Sequence, residues 1–357
     1  MTKAATLAQQ ASSTTFNIPF RNRVINGAMA IDQRYNGAAT TNVGSYGGSP
    51  THVVDRFRIG GSGGGARWTM QRVQDGPPGF QYSAKFTTTT ASAPAAADLT
   101  VLSHIIEGYN VHDFAWGTAS AQAASLSFWV KASVAGTYNV TITSGPSATY
   151  TTTYTVSAAN VWEYETITIP ACTSFTSGLS NDQGIRIDWA MAVGSNYITA
   201  TPNSWNASSY YGTSGAVQLS NNSGATWQIT GVQFEPGGSA TNFDVRPYGV
   251  ELGLCQRYYQ TNPRAVTFGR GTDSIVYNHV CPVPMRAVPS VAMITTAPYY
   301  ESTVWSTVGS LTNAVANNGH MSTLGGDILI SGTFSPSPAG NYLTEIGGGV
   351  LAISAEL

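Results

Sequence analysis

From residue 21 to about 246 the chain repeats one format: short runs of alternating apolar and polar residues, cut apart by clusters of Gly, Pro, Asn and Ser. In "TYNVTIT", Tyr138, Val140 and Ile142 share one face. A period of two suits a pleated strand and cannot give a helix an apolar stripe. "FQYSAKFTTTT", "TYTTTYTVS", "WEYETITIP", "GIRIDWAMAV" and "WQITGVQFEPG" continue the series, and "DGPPG" marks a turn between members. Many short strands at regular spacing predict an all-β sandwich or barrel. In "LSFWVKA", Leu126, Phe128 and Val130 alternate with Ser127, Trp129 and Lys131. A tryptophan on the polar side predicts that this face is covered too, by a second layer or a neighbouring subunit.

Charge narrows the function. Only 10% of the 357 residues are charged and the formal net charge is −2, against a usual charged share of roughly 25%. A chain like this offers no broad basic surface for phosphates, which argues against nucleic-acid binding. So few surface charges also predict that much of the outside is hidden between subunits. Cys172, Cys255 and Cys281 are an odd number and imply no disulfide framework; buried free thiols made in a reducing cytoplasm are expected. "MTKAATLAQQ" has no apolar core of a secretory leader, and no apolar run approaches the roughly 20 residues that span a bilayer, so no membrane insertion is expected.

The pattern divides the chain into an N-terminal arm (1–20), a β-sandwich (21–248), a linking helix (249–261) and a smaller C-terminal β-domain (262–357). Leu252, Cys255, Tyr258 and Tyr259 in "VELGLCQRYYQT" stand at helical spacing. Their face is too short to be stable alone, so it packs either on its own domain or, with these four as candidates, in a trimer interface. "DLTVLSHIIEGYNVHDF" (98–114) reads as a short helix or a strand-loop mixture, and "GGSGGGA" (60–66) as a flexible loop, since no Lys-Ser/Thr follows it.

"RNRVINGAMAIDQRYNG", "VDRF", "GPPGF", "HIIEGYNVHDFAWGTASAQAASLSFWVKASVAGTY", "WEYETITIP", "WQITGVQFEPGGSATNFDVRP" and "ELGLCQRYYQ" follow in an order that resembles bacteriophage tail-fibre and head-fibre receptor-binding proteins. The resemblance spans roughly 21 to 260 and continues more weakly in "CPVPMRAVPSV" and "ISAEL". It implies a carbohydrate-binding-module-like jelly-roll sandwich, a trimeric fibre or spike made with two identical subunits, and a place in the virion. It implies attachment to a phage tail or capsid protein through the N-terminal arm and adsorption to host surface polysaccharide. It carries over no catalytic residues. The arm itself lies outside the resemblance, so tail and capsid both stay open.

The chemistry-bearing residues fit that expectation. Glycoside hydrolysis needs paired carboxylates. The acids here are scattered apart from Glu163 and Glu165, which read as the exposed face of a half-buried strand. No enzyme is expected, with polysaccharide depolymerase the competing reading. His104 and His112 are too far apart for a zinc cluster. No cofactor is expected, although Asp32 or Asp244 leave room for a structural calcium ion. Sugar rings lay C–H faces on flat aromatic rings. Trp68, Trp116, Trp129, Trp162, Trp189 and Trp227 lie in strand-like segments and are assigned to packing or subunit contacts. The glycan-binding candidates are loop aromatics among Ser and Asn: Trp205, Tyr210 and Tyr211, and Tyr299, Tyr300 and Trp305.

Overall fold

The computed structural model of the chain describes residues 20–43, 51–62, 67–145, 148–174, 180–262, 265–269, 274–293, 299–302, 308–317, 321–335, 343–347 and 351–356. The chain opens with β1 (Thr40–Val43), β2 (Thr51–Val54), β3 (Phe57–Ser62), β4 (Arg67–Val73), β5 (Ser83–Thr90) and β6 (Leu99–Glu107). Then come β7 (Ala124–Ala132), β8 (Gly136–Ser144), β9 (Ala148–Val156), β10 (Glu163–Ile169), β11 (Gln183–Val193), β12 (Trp205–Asn206) and β13 (Thr226–Pro236). They form two antiparallel sheets: six strands in the order β1-β4-β5-β13-β7-β10, and seven in the order β12-β9-β8-β11-β6-β3-β2.

The alternation read from sequence decides what fills the space between the sheets. Leu126, Phe128 and Val130 of β7 meet Tyr138, Val140 and Ile142 of β8 and Ile185, Ile187 and Trp189 of β11 in one core. Trp68, Trp189 and Trp227 are fully buried. The core rings meet at angles: Phe128 lies 5.8 Å from Trp189 and 5.1 Å from Tyr154, both edge-on. Such rings bury 150–250 Å² each and dominate core energetics.

Trp129 lies on the outer side of the six-stranded sheet and is half-buried. Its neighbour is Tyr164, directly opposite on β10, with ring centroids 5.2 Å apart. The register of β13 shifts between Thr230 and Gln233. Gly231 sits there at φ +62°, and a side chain on it would strike Trp129 and Phe80. The covering of this tryptophan is therefore at least partly intramolecular.

The segment from Arg21 to Gly37 caps one end of the sandwich. Asn22 donates from Nδ2 to the carbonyl of Val232, and its Oδ1 accepts from the amides of Val24 and Phe234. Asn26, at φ +62°, donates to the carbonyls of Ile31 and Asp55 and accepts from the Ile31 amide. Asparagine tolerates the left-handed region because its short amide bonds locally to the backbone. A Cβ on Gly27 would lie 2.1 Å from the Val232 carbonyl oxygen, so the chain approaches β13 backbone-to-backbone.

One expectation narrows to its strand-loop alternative and one changes. The stretch 98–114 holds β6 followed by two single 3₁₀ turns, Gly108–Asn110 and His112–Phe114. The linking helix, α1 (Tyr248–Gln256), is shorter than expected. Tyr259 leaves it for β14 (Tyr259–Asn262), which pairs with β22 (Leu351–Ser354), because a partner strand from the far end of the chain lies beside it. Cys255, Tyr258 and Tyr259 are all buried within the one chain: Cys255 and Tyr258 pack on Ile25 and Ile31, while the Arg34 guanidinium lies over the Tyr259 ring. Of the four trimer-interface candidates only Leu252 stays partly open.

After α1 come β15 (Ala265–Gly269), β16 (Ser274–Val280), β17 (Ser290–Met293), β18 (Tyr299–Ser302), β19 (Val308–Asn317), β20 (Gly325–Ser335) and β21 (Leu343–Gly347). β14, β22 and β17 form a three-stranded sheet, and β15-β16-β20-β19-β18-β21 close into a barrel. The small sheet is bolted to the sandwich. Arg257 grips Glu107 with two hydrogen bonds of 3.0 Å. Arg286 donates to the carbonyls of Asn181, Ala355 and Glu356. No helix among the described residues is long and apolar enough to cross a membrane.

Candidate functional site

The outer face of the seven-stranded sheet is where the alternation places its polar set. Register aligns Arg58 of β3 with Ser103 of β6, Ser103 with Asp188 of β11, Asp188 with Thr141 of β8, and Thr141 with Thr151 of β9. One row thus runs guanidinium, hydroxyl, carboxylate, hydroxyl, hydroxyl across five strands. Ser103 donates to Asp188 Oδ1 at 2.5 Å, and Arg186 Nε donates to Oδ2 at 2.8 Å.

The segment after β11 folds back over this face. Thr149 and Thr151 donate to the carbonyls of Ser208 and Tyr210 at 2.6 and 2.9 Å, and Thr213 donates to Asn139. Thr199 bonds the Gly212 carbonyl and Tyr211 the Tyr197 carbonyl, which closes the segment into a strap. The strap is anchored on β9 and β8 and reaches β3 through Tyr197 and Ser62. What it leaves is a cavity of about 280 Å³. Arg58, Ser62, Ser103, Arg186, Asp188 and Tyr211 line it, with Tyr197 at the side.

The polar groups here are fixed before any ligand arrives. Arg186 donates from Nη2 to the Tyr211 hydroxyl at 2.6 Å, and Ser62 Oγ lies 3.1 Å from the Tyr197 hydroxyl. The two tyrosine rings meet edge to face with centroids 6.0 Å apart. The Asp188 carboxylate beside it raises the Arg186 guanidinium above its ordinary value, so Arg186 stays charged. Burial pushes the Tyr211 phenol up, keeping it a neutral donor at physiological pH. Flat rings, a cation and clustered hydroxyl-bonding groups in a concavity are what a sugar ring needs for its C–H face and its hydroxyls.

The aromatic candidates separate. Tyr211 lines the cavity. Tyr210 lends its backbone carbonyl to the strap's anchor. Trp205 packs on Trp116 and Tyr150, with centroids 5.2 and 5.6 Å away, and donates to the Pro170 carbonyl, so it closes the edge of the core. Tyr299 and Tyr300 belong to β18 in the barrel, and their side chains, like all of Trp305, lie outside the described residues. Arg58, Ser103, Arg186 and Asp188 were missed by sequence reasoning. Their signal was present: Arg186 and Asp188 alternate with Ile185, Ile187 and Trp189 in a chain poor in charge. Gly60, Gly61 and Ser62, expected in a flexible loop, finish β3 and line the cavity.

Two further cavities flank α1 and the small sheet. One of about 540 Å³ is lined by Asp32, Arg72, Phe80, Tyr82, Phe243 and Tyr248 among others. The other, about 610 Å³, lies between the sandwich edge and the small sheet and includes Arg34, His52, Arg58, Arg286 and Glu356. Glu163 and Glu165 line none of the three. Glu163 instead accepts the amides of Ser157 and Ala158, which holds its carboxyl below its ordinary value. Asp32, a calcium candidate, is committed to the amides of Tyr35 and Gly37, and Asp244 accepts from the Asn22 amide.

No family model and no curated protein matches this sequence. Among solved structures, the chain is similar to the enzymatically active domain of bacteriophage CBA120 tailspike protein 4, at 12% identity over 61% of this chain and TM-score 0.34. The match spans 22% of that tailspike chain. A family 4 carbohydrate-binding module is 15% identical over 60% of this chain and 99% of its own, with TM-score 0.33. A family 11 carbohydrate-binding module from Clostridium thermocellum, solved with a mixed-linked tetrasaccharide, is 12% identical over 57% of this chain and 98% of its own, with TM-score 0.28.

Proposed function

We propose that this chain is a non-catalytic glycan-binding protein of a phage virion, and that the cavity under the strap is its saccharide site. The observation that carries the reading is the row Arg58, Ser103, Asp188, roofed at one side by Tyr197 and Tyr211. Among the described residues, each of these three cavities is lined by a single carboxylate, respectively Asp188, Asp32 and Glu356. Hydrolysis of a glycosidic bond by the usual route takes two acids flanking it. One ion-paired acid among hydroxyls suits holding a sugar rather than cutting it.

The virion role is supported by the order of motifs from "RNRVINGAMAIDQRYNG" to "ELGLCQRYYQ". In this reading three copies form a tail fibre, residues 1–20 attach it, and the fibre adsorbs reversibly to host polysaccharide. Affinity at one site is weak, near millimolar, and rises about 10²–10⁴-fold when several sites engage one surface. Attachment to the capsid is the alternative position, and cross-linking of the arm in intact particles distinguishes the two.

The test is a glycan array probed with the purified protein and with Tyr211→Ala. Saccharide binding by the first and its loss in the second are expected. An array without hits overturns the reading. Release of new reducing ends from host polysaccharide overturns its non-catalytic part.

A further inference from the structure

The cavity of about 540 Å³ beside the start of α1 shares no lining residue with the one under the strap. Four aromatic side chains converge on it: Phe80, Tyr82, Phe243 and Tyr248. The "DGPPG" turn delivers the first. Gly79 sits at φ +92°, and the Phe80 amide donates to the Pro77 carbonyl at 3.0 Å. Phe243 meets Phe80 edge-on with centroids 5.0 Å apart, and beside it the Asp244 amide donates to Gln233 Oε1 at 2.8 Å. Tyr82 lies under the Arg72 guanidinium, 4.4 Å from the ring centroid. Three rings are thus held before any ligand arrives. Tyr248 differs: it lines the same cavity while 64% exposed, and no ring or cation among the described residues stacks on it.

Charge and hydrogen bonding narrow the ligand. Asp32 and Arg72 are the two charged residues in the described lining, and they face each other at 3.7 Å. Each is otherwise committed, Asp32 to the amides of Tyr35 and Gly37, Arg72 to the Ala30 carbonyl. The pair cancels, so the cavity favours a ligand without net charge. The polar groups left over are carboxamides. Asn36 and Gln81 are exposed, and neither side chain takes a hydrogen bond among the described residues. A carboxamide donates and accepts, as a sugar hydroxyl does. Flat rings meet the C–H face of a sugar, and the volume falls within the roughly 300–1,000 Å³ of ligand pockets.

We propose that this cavity is a second saccharide site, taking uncharged sugars, with the Tyr248 ring as the platform and Asn36 and Gln81 reaching the hydroxyls. It rests on the glycan-binding reading and adds a separate site to it. Arg72 belongs to the six-stranded sheet, whereas Arg58, Ser103 and Asp188 belong to the seven-stranded one. One chain then engages a glycan surface at two points, and avidity does not wait on assembly alone.

The test reads single sites in solution, because an array signal built from several engaged sites falls when either kind is lost. Saturation-transfer NMR follows short neutral, uronate-containing and sulfated oligosaccharides with the full-length protein, Tyr211→Ala, Tyr248→Ala and the double variant. Tyr211→Ala is expected to keep transfer to a neutral oligosaccharide. Adding Tyr248→Ala should weaken that binding about tenfold, and adding Gln81→Ala instead about threefold. Both positions are exposed, and a thermal melt checks that the fold is kept; if Tyr248→Ala is not folded, Gln81→Ala decides. Loss of all transfer in Tyr211→Ala overturns the inference and leaves the cavity under the strap as the saccharide site. Transfer in Tyr211→Ala that neither added change weakens places the second site elsewhere and overturns it too. Transfer there confined to charged sugars overturns the ligand class. A drop in subunit number on sedimentation of Tyr248→Ala assigns the ring to a second copy of the chain and likewise overturns the inference. No transfer to any sugar from the unaltered protein overturns the underlying reading itself.

Discussion

Arg56 donates to the carboxylate of Glu356 across 300 residues of sequence. The same guanidinium bonds the Ile105 carbonyl at 2.7 Å and lies 3.4 Å from the centroid of the Tyr258 ring. Burial alone raises the Glu356 carboxyl, yet its basic neighbours hold it well below the carboxylate range. Those neighbours are His52, Arg56 and Arg34. The last strand is thus pinned to the sandwich by charge as well as by the ladder to β14.

Removing the acid from that pair leaves Arg56 buried without its counter-ion. Breaking a buried pair from one side costs about 3–5 kcal/mol. Glu356→Ala is expected to lower stability by that order in urea unfolding followed by tryptophan fluorescence. A loss under about 1 kcal/mol would show that the pair is solvated.

The pH profile carries a sign that can be checked. Burial lowers His52 from 6.5 to about 4, so its contribution is present above 6.5 and lost as pH falls toward 4. Burial raises Asp55 from 3.8 to about 6, so its contribution is present at low pH and lost as pH rises through 6. Between these values the two slopes oppose, while His104 and His279, also lowered by burial, add to the His52 side. In Asp55→Asn the opposing slope is gone, and His52, with His104 and His279 acting in the same direction, should make stability fall by at least about 2 kcal/mol from pH 6.5 to 4. Urea midpoints across that range measure it; a flat profile in the variant contradicts the assignment.

Trp205 and Tyr211 lie six residues apart but have different surroundings. Trp205→Ala is expected to cost about 2–3 kcal/mol by opening the core edge, with the cavity's saccharide affinity retained. Tyr211→Phe should cost about 1 kcal/mol or less, through the lost Arg186 bond, and weaken saccharide binding several-fold. Melting curves and titration calorimetry on the two variants separate the outcomes.

The thiols give a direct probe of packing. Cys172 and Cys255 are buried and Cys281 is half-buried, and none of the three is in a disulfide. Burial pushes the Cys255 thiol well above its ordinary value, which leaves no thiolate to react. A thiol reagent should label at most one of the three in the native protein and all of them after denaturation. Fast labelling of Cys255 would mean that α1 is not seated as described.

Much of the sandwich was legible in the sequence because strand alternation is a local signal. Tyr138, Val140 and Ile142, or Ile185, Ile187 and Trp189, name their inward face with no knowledge of a partner strand. Trp68, Trp189 and Trp227 followed as core for the same reason. The helix was legible as helix, but its apolar face was assigned to a contact between subunits. Spacing says which residues share a face and nothing about what lies against it, and here Ile25, Ile31 and Arg34 do.

The chain's own alternation and turns therefore determined that it is a β-sandwich with a short helix and further strands beyond it. Only tertiary structure decided which polar residues became neighbours. Arg58, Ser103 and Asp188 stand in one row because three strands pair in a particular register, and Glu356 reaches Arg56 because β22 pairs with β14. Alternation is set by bonds along the chain, which every residue carries with it. A cross-strand neighbour is set by which distant strand supplies the ladder, and no window of sequence contains both.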